Sequence, residues 1–245
     1  MSSELLYIIP LIFLIAFLYS SVGHGGASGY LALMGMIGIS ASIMRPSALI
    51  LNLFVAGISF QQYYKAGYFR KNIFIPLGMS SIPMAFIGAR IDIDAFWYKR
   101  ILAACLLLAS LRILGLFVKK ENKNLHTMPV WAGMVLGGSL GLISGMIGIG
   151  GGILLSPALL LFRWSDVKET ASISALFILV NSLAGLVGLF SKGVEMTPSL
   201  LLWIFPAILG GIAGSHWGSK QKNMQVLRQM LGAVLILASI KLCFE

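Results

Sequence analysis

Charge is what this chain has least of. Lys, Arg, Asp and Glu together make up 11% of its 245 residues, against about 25% in a soluble domain whose surface water must wet. Acidic residues are the scarcer sign, 8 against 18 basic ones. Asp92, Asp94, Asp166, Glu169 and Glu195 all fall in loops or at segment ends, which leaves no buried carboxylate on which to build a cation-coupled site. The two cysteines, Cys105 and Cys243, each sit in apolar sequence and read as packing residues, not as a disulfide or metal framework. A phosphate loop of the G-x4-G-K-[ST] type is missing, so nothing points to ATP hydrolysis. No polar stretch is long enough to fold a basic face, so the formal charge of +10 does not imply nucleic acid. It fits loops held on the positive side of a membrane. The sequence calls for no cofactor and no metal.

Apolar residue is what the chain has in excess: 58% of it is hydrophobic, with a mean hydropathy of +0.92. So short a chain has no water-soluble core that could hide that much, so its solvent is expected to be a lipid bilayer. Apolar segments run over 5–22, 30–43, 47–64, 73–88 and 101–118, then 130–147, 153–162, 170–190, 200–215 and 227–242. The first is preceded by Glu4 and followed by no small-residue cleavage site, so it is expected to stay as a membrane segment.

Two sets of five segments suggest a duplication. Gly23 to Gly26 lies over Gly148 to Gly151, Asn52 over Asn181, and Pro83 with Gly88 over Pro206 with Gly211. The run LLLASLR from Leu106 to Arg112 lies over LILASIK from Leu235 to Lys241. Four echoes in one order divide the chain into a repeat over 1–118, a connecting loop over 119–129 and a second repeat over 130–245. The expected fold is an all-α polytopic membrane protein of about eight to ten segments, each half opening with a glycine-broken short helix pair. Lys and Arg gather in the loops 65–72, 119–129 and 216–228, which favours halves of inverted orientation.

The two breaks are the sharpest feature. Glycine weakens a helix by roughly 1 kcal/mol per residue relative to alanine, and runs of it at Gly23–Gly29 and Gly145–Gly152 each precede a segment too short to span. Unwound backbone at membrane depth must be buried in protein or line a cavity. Free amides leading into a helix N-terminus cradle an anion, and paired broken segments in two halves mark a transporter's central site. Gly23, Gly25, Gly26, Gly148, Gly150, Gly151 and Gly152 are therefore candidate substrate-binding residues. His24 joins them as the titratable group at a break, suited to anion contact or proton coupling. Asn52 and Asn181, at matched places, and Ser28 offer hydrogen bonds, with Ser47, Ser144, Ser156 and Ser174 as weaker candidates. Arg45 is a candidate for meeting the anion at the pore mouth, set against a simple interfacial anchor. By contrast Gly133, Gly137, Gly141 and Gly145, and again Gly210, Gly214 and Gly218, recur every fourth residue and read as helix-packing ridges.

The stretch LISGMIGIGGGILLSP from Leu142 to Pro157 resembles the signature of the sulfite exporter TauE/SafE family. The weaker copy at Gly23–Gly29 and the duplication extend the resemblance over essentially the whole chain. It implies an inner-membrane permease for sulfite, sulfonates or related organic anions, with the signature carried by Gly148, Gly150, Gly151, Gly152 and Pro157. In the first half only Gly23, Gly25 and Gly26 match, while His24, Ala27 and Ala32 depart from the pattern.

The function expected is a secondary anion transporter in the cell inner membrane, working by alternating access, with proton coupling and homo-oligomerisation open. An anion channel for the same solutes is the alternative. An intramembrane enzyme is the weakest reading: Ser139 in Gly137–Gly141 formally matches G-x-S-x-G, but it lies on a packing ridge, with His126 and His216 placed near the surface.

Overall fold

In hydrocarbon each backbone N–H and C=O must be paired within the protein, and an α-helix does this within its own segment. The computed structural model describes residues 3–21, 23–114, 125–194, 200–220, 235–236 and 239–243. Among these, nine helices are delimited: α1 (Ser3–Ser20), α2 (Ala27–Met36), α3 (Ala41–Lys65), α4 (Lys71–Arg90), α5 (Ala95–Ile113), α6 (Val130–Ile147), α7 (Gly152–Leu161), α8 (Val167–Phe190) and α9 (Leu200–Lys220). No strand occurs among the described residues. Most of the expected last segment, 227–242, and the connecting loop over 119–124 lie outside them.

Among the described residues, four helices are long and apolar enough to cross a bilayer: α3, α4, α6 and α8. Shorter apolar helices accompany them, at Ile8–Ser20 within α1 and in α2 and α7 of 10 residues each. Several boundaries also move. The third segment begins at Ala41, not at 47, with Arg45 and Pro46 inside it. Pro46 leaves only the carbonyl of Ser42 without its intrahelical donor, and Ser42 lies exposed at the helix end. The fifth begins at Ala95 because Asp94 caps it, its Oδ1 accepting from Phe96 N at 2.9 Å. Asp166 does the same for α8 through a capping box with Glu169.

Glycine ridges set the closest approaches. A methyl group on Gly137, Gly141 or Gly145 of α6 would strike the carbonyl oxygens of Leu77, Ser81 and Ala85 on α4. The rising numbers on both sides make α4 and α6 parallel. Gly210, Gly214 and Gly218 of α9 lie in the same way against Phe13, Phe17 and Ser21, so α1 and α9 are parallel too. The two ridges thus serve close packing.

α3 and α8 run antiparallel: Leu49 lies against Gly185, Asn52 against Ser182 and Gly57 against Leu179. α8 is instead parallel to α4, with Arg70 paired to Glu169 at one end and Lys192 to Asp92 at the other. α4 therefore packs between α6 and α8, while α9 packs on α1 and α3.

Candidate functional site

Both breaks begin as helix terminations that use glycine's left-handed backbone. At the end of α1, His24 N donates to Tyr19 O at 2.9 Å and Gly23 N to Ser20 O at 3.0 Å, with Gly23 at φ +78°. This is a Schellman closure. At the end of α6, Gly148 N donates to Ser144 O at 2.8 Å with φ +86°, the simpler single-bond form. Beyond each cap a short left-handed stretch turns the chain back into a ten-residue helix, through Gly26 into α2 and Gly151 into α7. The opening amides of α2 and α7 have no acceptor within their own helix.

The two unwound stretches meet. A methyl on Gly25 would lie 3.0 Å from Ile178 Cγ2 and against Asn52 Oδ1. One on Gly150 would lie 2.9 Å from the same Cγ2 and 2.7 Å from Asn52 Nδ2. Break 1 leans along α8, with Gly23 on Ala171. Break 2 leans along α3, with Gly148 on Arg45, and Gly152 presses on Ile178 and Ser174. The glycines thus let two main chains close on one layer of side chains, near the middles of α3 and α8.

Asn52 joins them. Its Oδ1 accepts from Ala27 N at 3.0 Å, and its Nδ2 donates to Ile149 O and Ser182 Oγ, each at 3.3 Å. One buried amide thereby satisfies an opening N–H of α2, a carbonyl of break 2 and a hydroxyl of α8. Asn181 is as deeply buried, yet neither its nitrogen nor its oxygen has a hydrogen-bond partner among the described residues. The matched asparagines are therefore not equivalent.

His24 is buried at break 1 and reaches α7, in the second half of the sequence. Its Nε2 lies 3.0 Å from Ser156 Oγ on α7, which lies 2.7 Å from Ser174 Oγ on α8 and donates to Gly152 O at 2.8 Å. The imidazole is thus joined to a hydroxyl chain ending at the opening turn of α7. Ser28 donates to Tyr19 Oη at 2.7 Å, tying α2 to α1. Ser47 is buried on α3, one turn before Leu51.

Arg45 sits at the C-terminal ends of two helices. Its Nη2 donates to Ala89 O of α4 and Gly145 O of α6, each at 3.1 Å, where the helix dipoles favour a cation. Tyr98 Oη caps the same end of α6 by donating to Ile147 O at 3.1 Å. Outside the bilayer-depth layer, Lys192 holds the exposed Asp92 carboxyl below the usual carboxylate range, chiefly by hydrogen bonding, and Glu169 raises the Arg70 guanidinium in the same way.

Sequence reading missed Ser182, Ile178, Tyr19 and the Ala27 amide. Ile178 carries no chemical signal, and Ser182 is marked only by standing next to Asn181. Ser139 hydrogen-bonds within its own helix, to Leu136 O at 3.1 Å, on an exposed face.

The model of the sulfite exporter TauE/SafE family matches residues 8–242. The chain belongs to the TauE/SafE family. It is 29% identical to the probable membrane transporter protein y4hK of Sinorhizobium fredii, over 99% of each chain. It is 24% identical to the probable membrane transporter protein YdhB of Bacillus subtilis, over 95% of this chain and 96% of that one. No solved structure matches. This TauE/SafE chain is a multi-pass membrane transporter and not an enzyme.

Proposed function

We propose that this chain is a secondary transporter of small anions, of the sulfite or organosulfonate class, in the cell inner membrane. The observation that carries the reading is the meeting of Gly25 and Gly150 on Asn52 and Ile178, which brings two unwound main chains and two helix N-termini to one depth. Backbone amides and the positive ends of α2 and α7 are suited to replace the water of a negative solute. The family's name for sulfite export supports the solute class.

The antiparallel run of α3 and α8, the central helices of the two repeats, supports an inverted duplication. So does the exchange of partners: α4 lies on α6 as α9 lies on α1, and α4 lies on α8 as α9 lies on α3. Inverted units rock about a central site to open it alternately. His24, joined to Ser156 and Ser174, is the group placed to carry a proton with the anion.

The test is flux in proteoliposomes. Gly25→Leu and Gly150→Leu each drive a side chain into Asn52 and Ile178, and are expected to insert normally while anion flux drops to background. Wild-type flux in either variant refutes the site. Accumulation of the anion against its gradient when a pH gradient is applied separates this carrier from a passive pore.

A further inference from the structure

An unpaired polar group in hydrocarbon is costly, and those that persist in a native protein serve some partner. Asn181 is fully buried on α8, and both ends of its amide lack a partner among the described residues. The hydroxyl of Ser144, fully buried on the last turn of α6, is in the same position. Ser144 lies beside Gly151. Ser144 Cβ is 3.2 Å, and the Phe177 ring 2.8 Å, from the place a methyl on Gly151 would occupy. Asn181 is one helical turn beyond Phe177 and three residues beyond Ile178, on the stripe of α8 that both breaks touch.

Asn52 is fully spent on Ala27, Ile149 and Ser182, and Arg45 Nη2 is spent on two carbonyls. Arg45 Nε, the Ser144 hydroxyl and the Asn181 amide are among the groups left without a partner among the described residues, and the last two are neutral. Whichever way the Asn181 amide is drawn, one end donates and the other accepts. An anion offering only acceptor oxygens satisfies the first and sets negative charge against the second.

Resting on the anion-transporter reading above, we infer that Asn181 and Ser144 contact the solute, that Asn52 is a positioning residue, and that the solute both accepts and donates hydrogen bonds. Its class is a protonated oxyanion, or an acid anion bearing a hydroxyl or amino group. The site is lopsided, built on the second repeat although the first supplies half its frame.

Matched probes test this with the full chain in proteoliposomes: 2-hydroxyethanesulfonate against ethanesulfonate, and hydrogensulfite against nitrate. The donor-bearing member of each pair is expected to be carried at least about tenfold faster, since sites built to bond a hydroxyl reject analogues lacking it. Asn181→Leu removes both orphaned atoms at similar size. It is expected to unfold at the same or a higher temperature than wild type while losing about tenfold or more of its flux. Asn52→Leu is expected to unfold at a lower temperature. Equal carriage of both members of each pair overturns the inference and leaves anion transport standing. Wild-type flux in Asn181→Leu, or a loss of thermal stability matching Asn52→Leu, also overturns it. Failure to carry any of the four anions overturns the anion reading itself, and this inference with it.

Discussion

A single amide decides how the two breaks are held. Asn52 gives one acceptor and two donors to three different elements, so replacing it strands an N–H, a carbonyl and a hydroxyl together. Leaving a buried group unsatisfied costs about 1–3 kcal/mol. Asn52→Ala is therefore expected to lower the unfolding temperature in detergent by several degrees, and Asn52→Asp to do so as well, because a carboxylate keeps the Ala27 bond but cannot donate to Ile149. Thermal unfolding followed by tryptophan fluorescence measures this, and an unchanged transition would show that Asn52 is not the tie. At this scale the sequence was informative about identity and silent about duty. Asn52 and Asn181 stood out because amides are rare in apolar runs, but their different roles depend on what surrounds each, and no spacing rule carries that. Ser28 was legible as a polar residue beside glycines, yet its hydroxyl is engaged by Tyr19. Arg45 was weighed between pore mouth and anchor, and the two carbonyls it binds come from helices remote in sequence.

Among elements, the close pairs are α4 with α6 and α1 with α9, and each depends on glycine in register. Gly141 and Gly138 stand three positions apart on α6, but only the first faces α4 backbone. A methyl on Gly141 strikes Ser81, whereas one on Gly138 meets only Ser80 and Met84 side chains at 3.7 and 3.8 Å. Gly141→Ala is thus expected to destabilise, since overpacking costs about 1–3 kcal/mol. Gly138→Ala is expected to be neutral or to stabilise by up to about 1 kcal/mol through helix propensity. Comparing the two unfolding midpoints checks the register. Every fourth glycine was readable as a ridge because helical periodicity is local. Its partner was not, since which helix lies opposite is fixed only by the packed whole. Helix ends were less legible: Asp94 begins α5 six residues before the apolar run that marked it, because a side-chain cap outweighs the cost of Lys99 and Arg100 in the opening turns.

Over the whole molecule, the two halves of the sequence and the packed bundles are not the same sets. α4, from the first half of the sequence, is latched to α8 by Arg70–Glu169 and Asp92–Lys192 and shares a glycine seam with α6. α9, from the second, lies against α1 and α3. The bodies expected to rock are therefore α4 with α6 to α8, and α9 with α1 to α3, meeting along α3 and α8. In a chain with Cys105 and Cys243 replaced, joining Asp92→Cys to Lys192→Cys with a short thiol cross-linker is expected to leave flux near that of the unlinked variant. Joining Gly57→Cys to Leu179→Cys, across the α3–α8 contact, is expected to arrest it. The reverse outcome would assign the motion to the sequence halves. The duplication is proposed on short echoes such as LLLASLR and LILASIK, and its inversion on where basic loops fall. The packing of α4 on α6 and α8, and of α9 on α1 and α3, was not legible, because no sequence pattern says which distant helices come into contact.

That packing has a consequence during synthesis. When α4 leaves the ribosome, the surface shaped to receive it, the glycine face of α6, has not yet been made. The newborn first half must wait in the lipid with a seam open, and matures only once its younger sibling arrives. Neither half is then self-sufficient: each supplies a face that the other needs.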